Sequence, residues 1–139
     1  MNELNYASFE ASKRLVDAGI VLETDFYWYV YNEYMCRSLI EADKAIPAPY
    51  LLNRASVRTR IGSIPTAYVP APSMAEVWRE LPETIDEYDL TCEKIFNGGM
   101  QAGYTTYDVS GLRWKVSLNA ANPTDAMIDL LIWVRKEKL

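Results

Sequence analysis

The sequence contains no histidine. That removes Ser-His-Asp and Cys-His constellations, imidazole-ligated metals and the commonest general base near neutral pH. Cysteine is scarce: Cys36 and Cys92 are the only two. Two thiols cannot complete a four-thiolate zinc site and make no disulfide framework. They fit a reducing compartment, and we expect both as small apolar residues. Neither GxxxxGK[ST] nor GxGxxG occurs, and Gly98-Gly99 leads into a strand pattern rather than a helix, so no phosphate cradle is expected. No apolar run approaches the roughly 20 residues of a membrane span. The longest, 127–134, is broken by Asp129. The opening Met1-Asn2-Glu3 is acidic and lacks an apolar core, which predicts no secretion signal, no membrane partner and a cytoplasmic setting. From these absences we expect a protein that is not an enzyme, with no cofactor and no metal.

What is present is a core-forming chain. Of 139 residues half are hydrophobic, with ten Tyr and four Trp. A chain this long buries about two-thirds of its unfolded surface and needs no staple. We expect one domain, 1–139. The net charge of −5 is uneven: residues 44–75 carry Lys44, Arg54, Arg58 and Arg60 and no acid. An acidic whole argues against a protein that coats DNA.

The closing stretch organises the fold. Leu112, Trp114, Val116 and Leu118 alternate with Arg113, Lys115 and Ser117, the period of a half-buried strand. Asn122-Pro123-Thr124-Asp125 reads as a helix start, with Asn122 as N-cap and Pro123 at the first helical position. Ala126, Met127, Leu130, Leu131 and Val134 follow at helical spacing. We expect this helix to roof the strand and its neighbours.

Earlier in the chain, residues 5–18 read as a helix capped by Asn5 or Ser8 and ended by Gly19. Residues 24–31 carry the strongest strand signal. Phe26, Trp28 and Val30 point one way and Tyr27, Tyr29 and Tyr31 the other, so the strand is expected to be central or covered on both faces. Tyr34–Ile40 reads as its hairpin partner, with a helix over Glu33–Lys44 as the competitor. Residues 45–72, bounded by Pro47-Ala48-Pro49 and Pro70-Ala71-Pro72, read as an extended excursion or arm, with a short strand near Ser56–Ile61. Ser73-Met74-Ala75-Glu76 is a capping box opening a short helix that Pro82 stops. Glu83–Asp89 reads as an acidic linker. Leu90–Phe96 and Gly99–Tyr107 read as a hairpin around a type I′ Asn97-Gly98 turn. Asp108–Gly111 turns into the last strand. The fold class is α+β: an antiparallel sheet of four or five strands, with the N-terminal and C-terminal helices packed on one face.

Two surfaces are candidates for interaction. Arg54, Arg58 and Arg60, with Tyr50 and Tyr68, carry the chemistry to meet phosphates and stack on bases. The competing reading pairs these arginines with the chain's own acids. Tyr27, Tyr29 and Tyr31 form a binding stripe if exposed. The competing reading covers that face with helices. The carboxylates Glu83, Asp86, Glu87 and Asp89 read as a solvated segment rather than an acid–base pair.

Three stretches carry a resemblance: Ser8–Ile20, Ala71–Pro82 (APSMAEVWRELP) and Asn122–Trp133 (NPTDAMIDLLIW). Together they resemble small uncharacterised proteins of bacteriophages, prophages and other mobile elements in bacteria. Those proteins pair an APS-x-AE-x-W-x-ELP helix with a terminal NP-x-DA-x-x-x-LL-x-W helix. The resemblance implies a mobile-element origin and a cytosolic setting, and it brings no catalytic or binding residue. With the negative chemistry, it leads us to expect an accessory protein acting through protein–protein contacts, with a protein partner or a second copy. A nucleic-acid-associated protein using Arg54, Arg58 and Arg60, and an acidic DNA-mimic inhibitor, are the alternatives.

Overall fold

The computed structural model describes residues 5–29, 50–53, 68–96 and 98–138. In chain order these form α1 (Phe9–Asp17), β1 (Phe26–Tyr29), β2 (Tyr50–Asn53), β3 (Tyr68–Pro70), α2 (Met74–Glu80), β4 (Thr84–Ile85), β5 (Tyr88–Lys94), β6 (Met100–Asp108), β7 (Gly111–Ala120) and α3 (Pro123–Lys138). The architecture is α+β, with two antiparallel sheets: β2-β1-β3 and β4-β5-β6-β7.

The helix ends follow local chemistry. Ser8 caps α1 by accepting the Ala11 N–H at 3.1 Å. At the other end Gly19 takes φ 78°, which lets Ile20 N–H reach Leu15 O (3.1 Å) and Gly19 N–H reach Val16 O (2.9 Å). This is the Schellman arrangement, with Ile20 and Leu15 both buried as its apolar contact. The helix is shorter than residues 5–18, because 5–8 form a strap instead. In α2 the Ser73 Oγ accepts from Glu76 N–H and Glu76 Oε1 accepts from Ser73 N–H. The second Glu76 oxygen accepts from Asp25 N–H at 3.2 Å, so a nearly buried carboxylate gains donors from two segments. Asn122 Oδ1 caps α3 by accepting from Thr124 N–H at 2.9 Å.

The sheets depart from the local pattern in three places. First, β1 is central as expected, with Tyr27 (7 % exposed) and Trp28 (8 %) covered on opposite faces, but its partners are distant in sequence. Its neighbours are β2, in the register Phe26↔Asn53 to Tyr29↔Tyr50, and β3, from Tyr27↔Pro70 to Tyr29↔Tyr68. Both edges of 26–29 are thus taken by strands from the proline-bounded stretch. Residues 34–40, the competing helix over 33–44 and the strand expected near 56–61 lie outside the described residues. Pro70 is tolerated because β3 is an edge strand.

Second, the acidic 83–89 segment is a hairpin, not a linker. Thr84 and Ile85 pair with Asp89 and Tyr88, and Asp86 turns the chain at φ 55°. Aspartate visits this left-handed region more readily than most residues. Third, the β5–β6 turn is longer than a two-residue type I′ connection. Ile95 N–H pairs with Gly99 O, and Gly98 N–H closes a turn onto Ile95 O with φ 90° at Gly98. The glycine therefore sits at the end of a three-residue loop. The β6–β7 connection is the expected tight turn, Asp108 pairing with Gly111.

The closing helix roofs the meander as expected. Ala126, Met127, Ile128, Leu130, Leu131 and Val134 are buried against Ala102 and Tyr104 of β6, with Val77 of α2, Leu81 just after it, and Ala11 and Leu15 of α1 in the same cluster. The side chains of Tyr88, Leu90, Cys92, Val116, Leu118 and Ala120 complete it from the sheet. Each buried Leu, Ile or Met contributes about 1.5–3 kcal/mol relative to exposure. Helix α1 packs on α3 and β3. Arg14 and Asp129 join α1 to α3 with a forked ion pair (Nε–Oδ1 3.1 Å, Nη2–Oδ2 3.3 Å). Half exposed, that pair contributes under about 1 kcal/mol.

Candidate interaction surface

Of the residues singled out in sequence, Tyr27 is corrected. Its side chain is buried in the covered face of the three-stranded sheet, so it offers no surface to a partner. Tyr29 contributes backbone to β1, between Tyr50 and Tyr68, and its side chain lies outside the described residues. Tyr31, Arg54, Arg58 and Arg60 also lie outside them.

Among the described residues, an exposed aromatic surface lies on the β6–β7 hairpin, and a bulge creates it. Tyr104 pairs with Val116 but Thr105 pairs with Trp114, leaving Lys115 as an extra residue in β7. An inserted residue reverses the alternation beyond it. Val116, Leu118 and Ala120 face α3 with Ala102 and Tyr104, whereas Trp114 and Leu112 share the other face with Thr105 and Tyr107. Strict alternation over 112–118 had placed Trp114 under the helix. The indole instead lies over Gly103: a Cβ there would stand 2.9 Å from Trp114 Cε3 and Cζ3. On the same face the Thr91 and Thr105 hydroxyls bond at 2.6 Å.

Beyond Trp114 the hairpin tip is apolar and open. Tyr107 (79 % exposed) lies directly opposite Leu112 (40 %), and Val109 in the turn is fully exposed. The tip is held rigid from beneath. Asp108 Oδ1 accepts the Ser110 N–H at 2.7 Å and Oδ2 meets Arg113 Nη1 at 3.1 Å. The Ser110 N–H first, and the Arg113 guanidinium after it, hold the Asp108 carboxyl below its usual range. Lys115, the bulge residue, reaches Asp86 at 3.4 Å and lies 5.3 Å from the Tyr88 ring centroid. Asp89 and Glu93 stand exposed on β5, on the face that Trp114 shares.

The opposite, helix-covered face holds the most perturbed groups. Tyr104 is wholly buried and donates its hydroxyl to Pro82 O at 2.8 Å. Burial first, and Cys92 second, push its phenol up to about 12. Burial also raises the Cys92 thiol. Both groups therefore stay neutral at physiological pH and act as packing.

Among the described residues, two of the clefts adjoin helices. One of about 420 Å³ lies between the end of α1 and α3, lined by Ile20, Ile132, Arg135 and Lys136, with Arg135 tied to Glu80 at 3.0 Å. The other, about 500 Å³, lies beside Asn5, Met74 and the half-exposed Trp78. Among the described residues no three carboxylates or thiols gather closely enough to hold a metal ion, and no helix is long and apolar enough to cross a membrane. Comparison with protein-family models, with curated proteins and with solved structures found no match to this chain.

Proposed function

We propose that this chain is a non-enzymatic accessory protein of a bacteriophage or other mobile element, working in the cytoplasm by binding another protein through the β6–β7 hairpin. The observation that supports the binding mode is the row Trp114, Leu112, Tyr107 and Val109 on a face that no described helix covers. Aromatic residues at a rigid, apolar tip are the typical anchors of protein interfaces. Asp89, opposite Thr105, stands beside the Trp114 end of the row, so the partner surface should combine an apolar centre with a basic group at that end. The mobile-element assignment rests on the three resembling stretches.

The test compares wild type with a Tyr107→Ser/Leu112→Ser variant, both tagged and expressed in bacteria carrying the element. Both positions are exposed, so the variant should fold as wild type does. The reading expects one protein recovered in stoichiometric amount with wild type and lost from the variant. Equal recovery by both proteins counts against the hairpin. Salt-sensitive DNA binding abolished by Arg58→Ala/Arg60→Ala would replace this reading with the nucleic-acid alternative.

A further inference from the structure

Strand β7 forms one edge of the four-stranded sheet, and no described strand lies beside it. Long edges are normally blunted by charge, proline or a bulge. In β7 all such protection lies in the first half, in Arg113, Lys115 and the bulge at Lys115. The second half, Val116-Ser117-Leu118-Asn119-Ala120, has no charge and no proline, and it runs in regular register against β6 from Tyr104 to Met100. Its core-facing residues are only half-buried, whereas Ala102 and Tyr104 on the adjoining strand are wholly buried. Solvent thus reaches the end of the apolar row from this edge.

A bare strand edge offers alternating N–H and C=O groups, which only another extended segment satisfies in full. A second copy of the same segment fits. Antiparallel pairing about Leu118 sets Val116 opposite Ala120 of the second copy, apolar against apolar on the helix face. It sets Ser117 opposite Asn119 of the second copy, polar against polar on the solvent face. The bulge fixes this register. Beyond Val116 the side chains change face, so a register centred elsewhere matches fewer residues before the bulge or the strand end intervenes. The nearby cations are answered within their own chain, Lys115 by Asp86 and Arg113 by Asp108. We infer that two copies of this chain associate about a two-fold axis at Leu118, their 116–120 segments pairing to join two four-stranded sheets into one of eight.

This interface is separate from the hairpin tip and does not depend on a protein being bound there. Sedimentation velocity of the full chain through the micromolar range tests it. Wild type should approach twice the chain mass of 15.9 kDa as concentration rises. A Ser117→Lys/Asn119→Lys variant sets like charges opposite each other at exposed positions. It should remain monomeric with an unchanged circular dichroism spectrum. A Ser117→Glu/Asn119→Glu variant should be monomeric alone and dimerise when mixed with the lysine variant. Tyr107→Ser/Leu112→Ser should leave the dimer intact, which separates this interface from the hairpin reading. A wild type that stays monomeric, a dimer that survives the lysines, or no recovery on mixing would each overturn the inference.

Discussion

Replacing Gly103 with alanine places a methyl group against β7. The new Cβ would meet the Val116 carbonyl oxygen and would stand 2.9 Å from two atoms of the Trp114 ring. Two opposing effects can be weighed. Alanine restricts the unfolded chain and would stabilise by about 0.4–1 kcal/mol at an unobstructed site. Overpacking costs about 1–3 kcal/mol, and the upper end applies where one obstructing atom belongs to the backbone and cannot rotate away. The expected net loss is therefore roughly 2 kcal/mol, or about 7 °C in Tm for a chain of this size. Urea unfolding followed by circular dichroism measures it. Trp114→Ala in the same background separates the two obstructions, because it clears the ring and leaves the carbonyl. Partial rescue is expected, visible as a positive coupling in the double-mutant cycle. If Gly103→Ala unfolds within about 0.5 kcal/mol of wild type, Trp114 does not lie over Gly103. The bulge at Lys115, and the exposed row it creates, would then be wrong.

Ser12→Ala should raise stability by about 1 kcal/mol in the same assay, because the Ser12 hydroxyl is buried in α1 with no hydrogen-bond partner among the described residues. A loss of stability would show that the hydroxyl is satisfied. Tyr104 sets the alkaline limb of the stability profile: its phenol ionises at 10.0 when unfolded and at about 12 when folded. The unfolded state therefore releases its proton first, and the contribution, complete below 10.0, is lost as pH rises through about 12. Tyr104→Phe should flatten that decline and cost about 1 kcal/mol at neutral pH through the lost bond to Pro82 O. An unchanged alkaline slope would refute it.

Features set within one turn of chain were legible in sequence, and features set by distant pairing were not. Ser73 with Glu76, Asn122 before Pro123, and Gly19 after α1 each act on backbone groups a few residues away, so composition alone located them. The partners of β1 were missed because they come from residues 50–53 and 68–70, where prolines suggest an excursion. Prolines are compatible with edge strands, and β3 is one. The Lys115 bulge was missed because one extra residue leaves the letters of an alternating strand unchanged and alters only where they point. One signal was available: Gly103 sits inside a strand, which marks a bulge or a close approach of backbone. The hairpin-tip residues read as ordinary alternation for the same reason, whereas Tyr27, Tyr29 and Tyr31 stand out because they recur at every second position. Such spacing fixes a shared face and says nothing about exposure, and Tyr27 is buried.

The three resembling stretches acquire a common meaning at residues 6–8. Ala7 N–H donates to Pro72 O at 2.9 Å, and Tyr6 bridges to Ser73, so the second stretch holds the strap from one side. Asn122 Nδ2 donates to Tyr6 O at 3.0 Å, and Asp125 Oδ1 accepts Ser8 N–H at 2.7 Å, so the third holds it from the other. Trp28 Nε1 donates to Ala7 O at 2.9 Å, tying β1 to the same point. Asn122 and Asp125 thus do more than start their own helix. They satisfy backbone groups of a strap 116 or 117 residues away and lock the entrance of α1 to that of α3. These hydrogen bonds give Asn122 and Asp125 a role in a junction of the fold. The β6–β7 tip lies outside this junction, and among the described residues Trp114 and Lys115 are where the hairpin meets β6 and the β4–β5 hairpin.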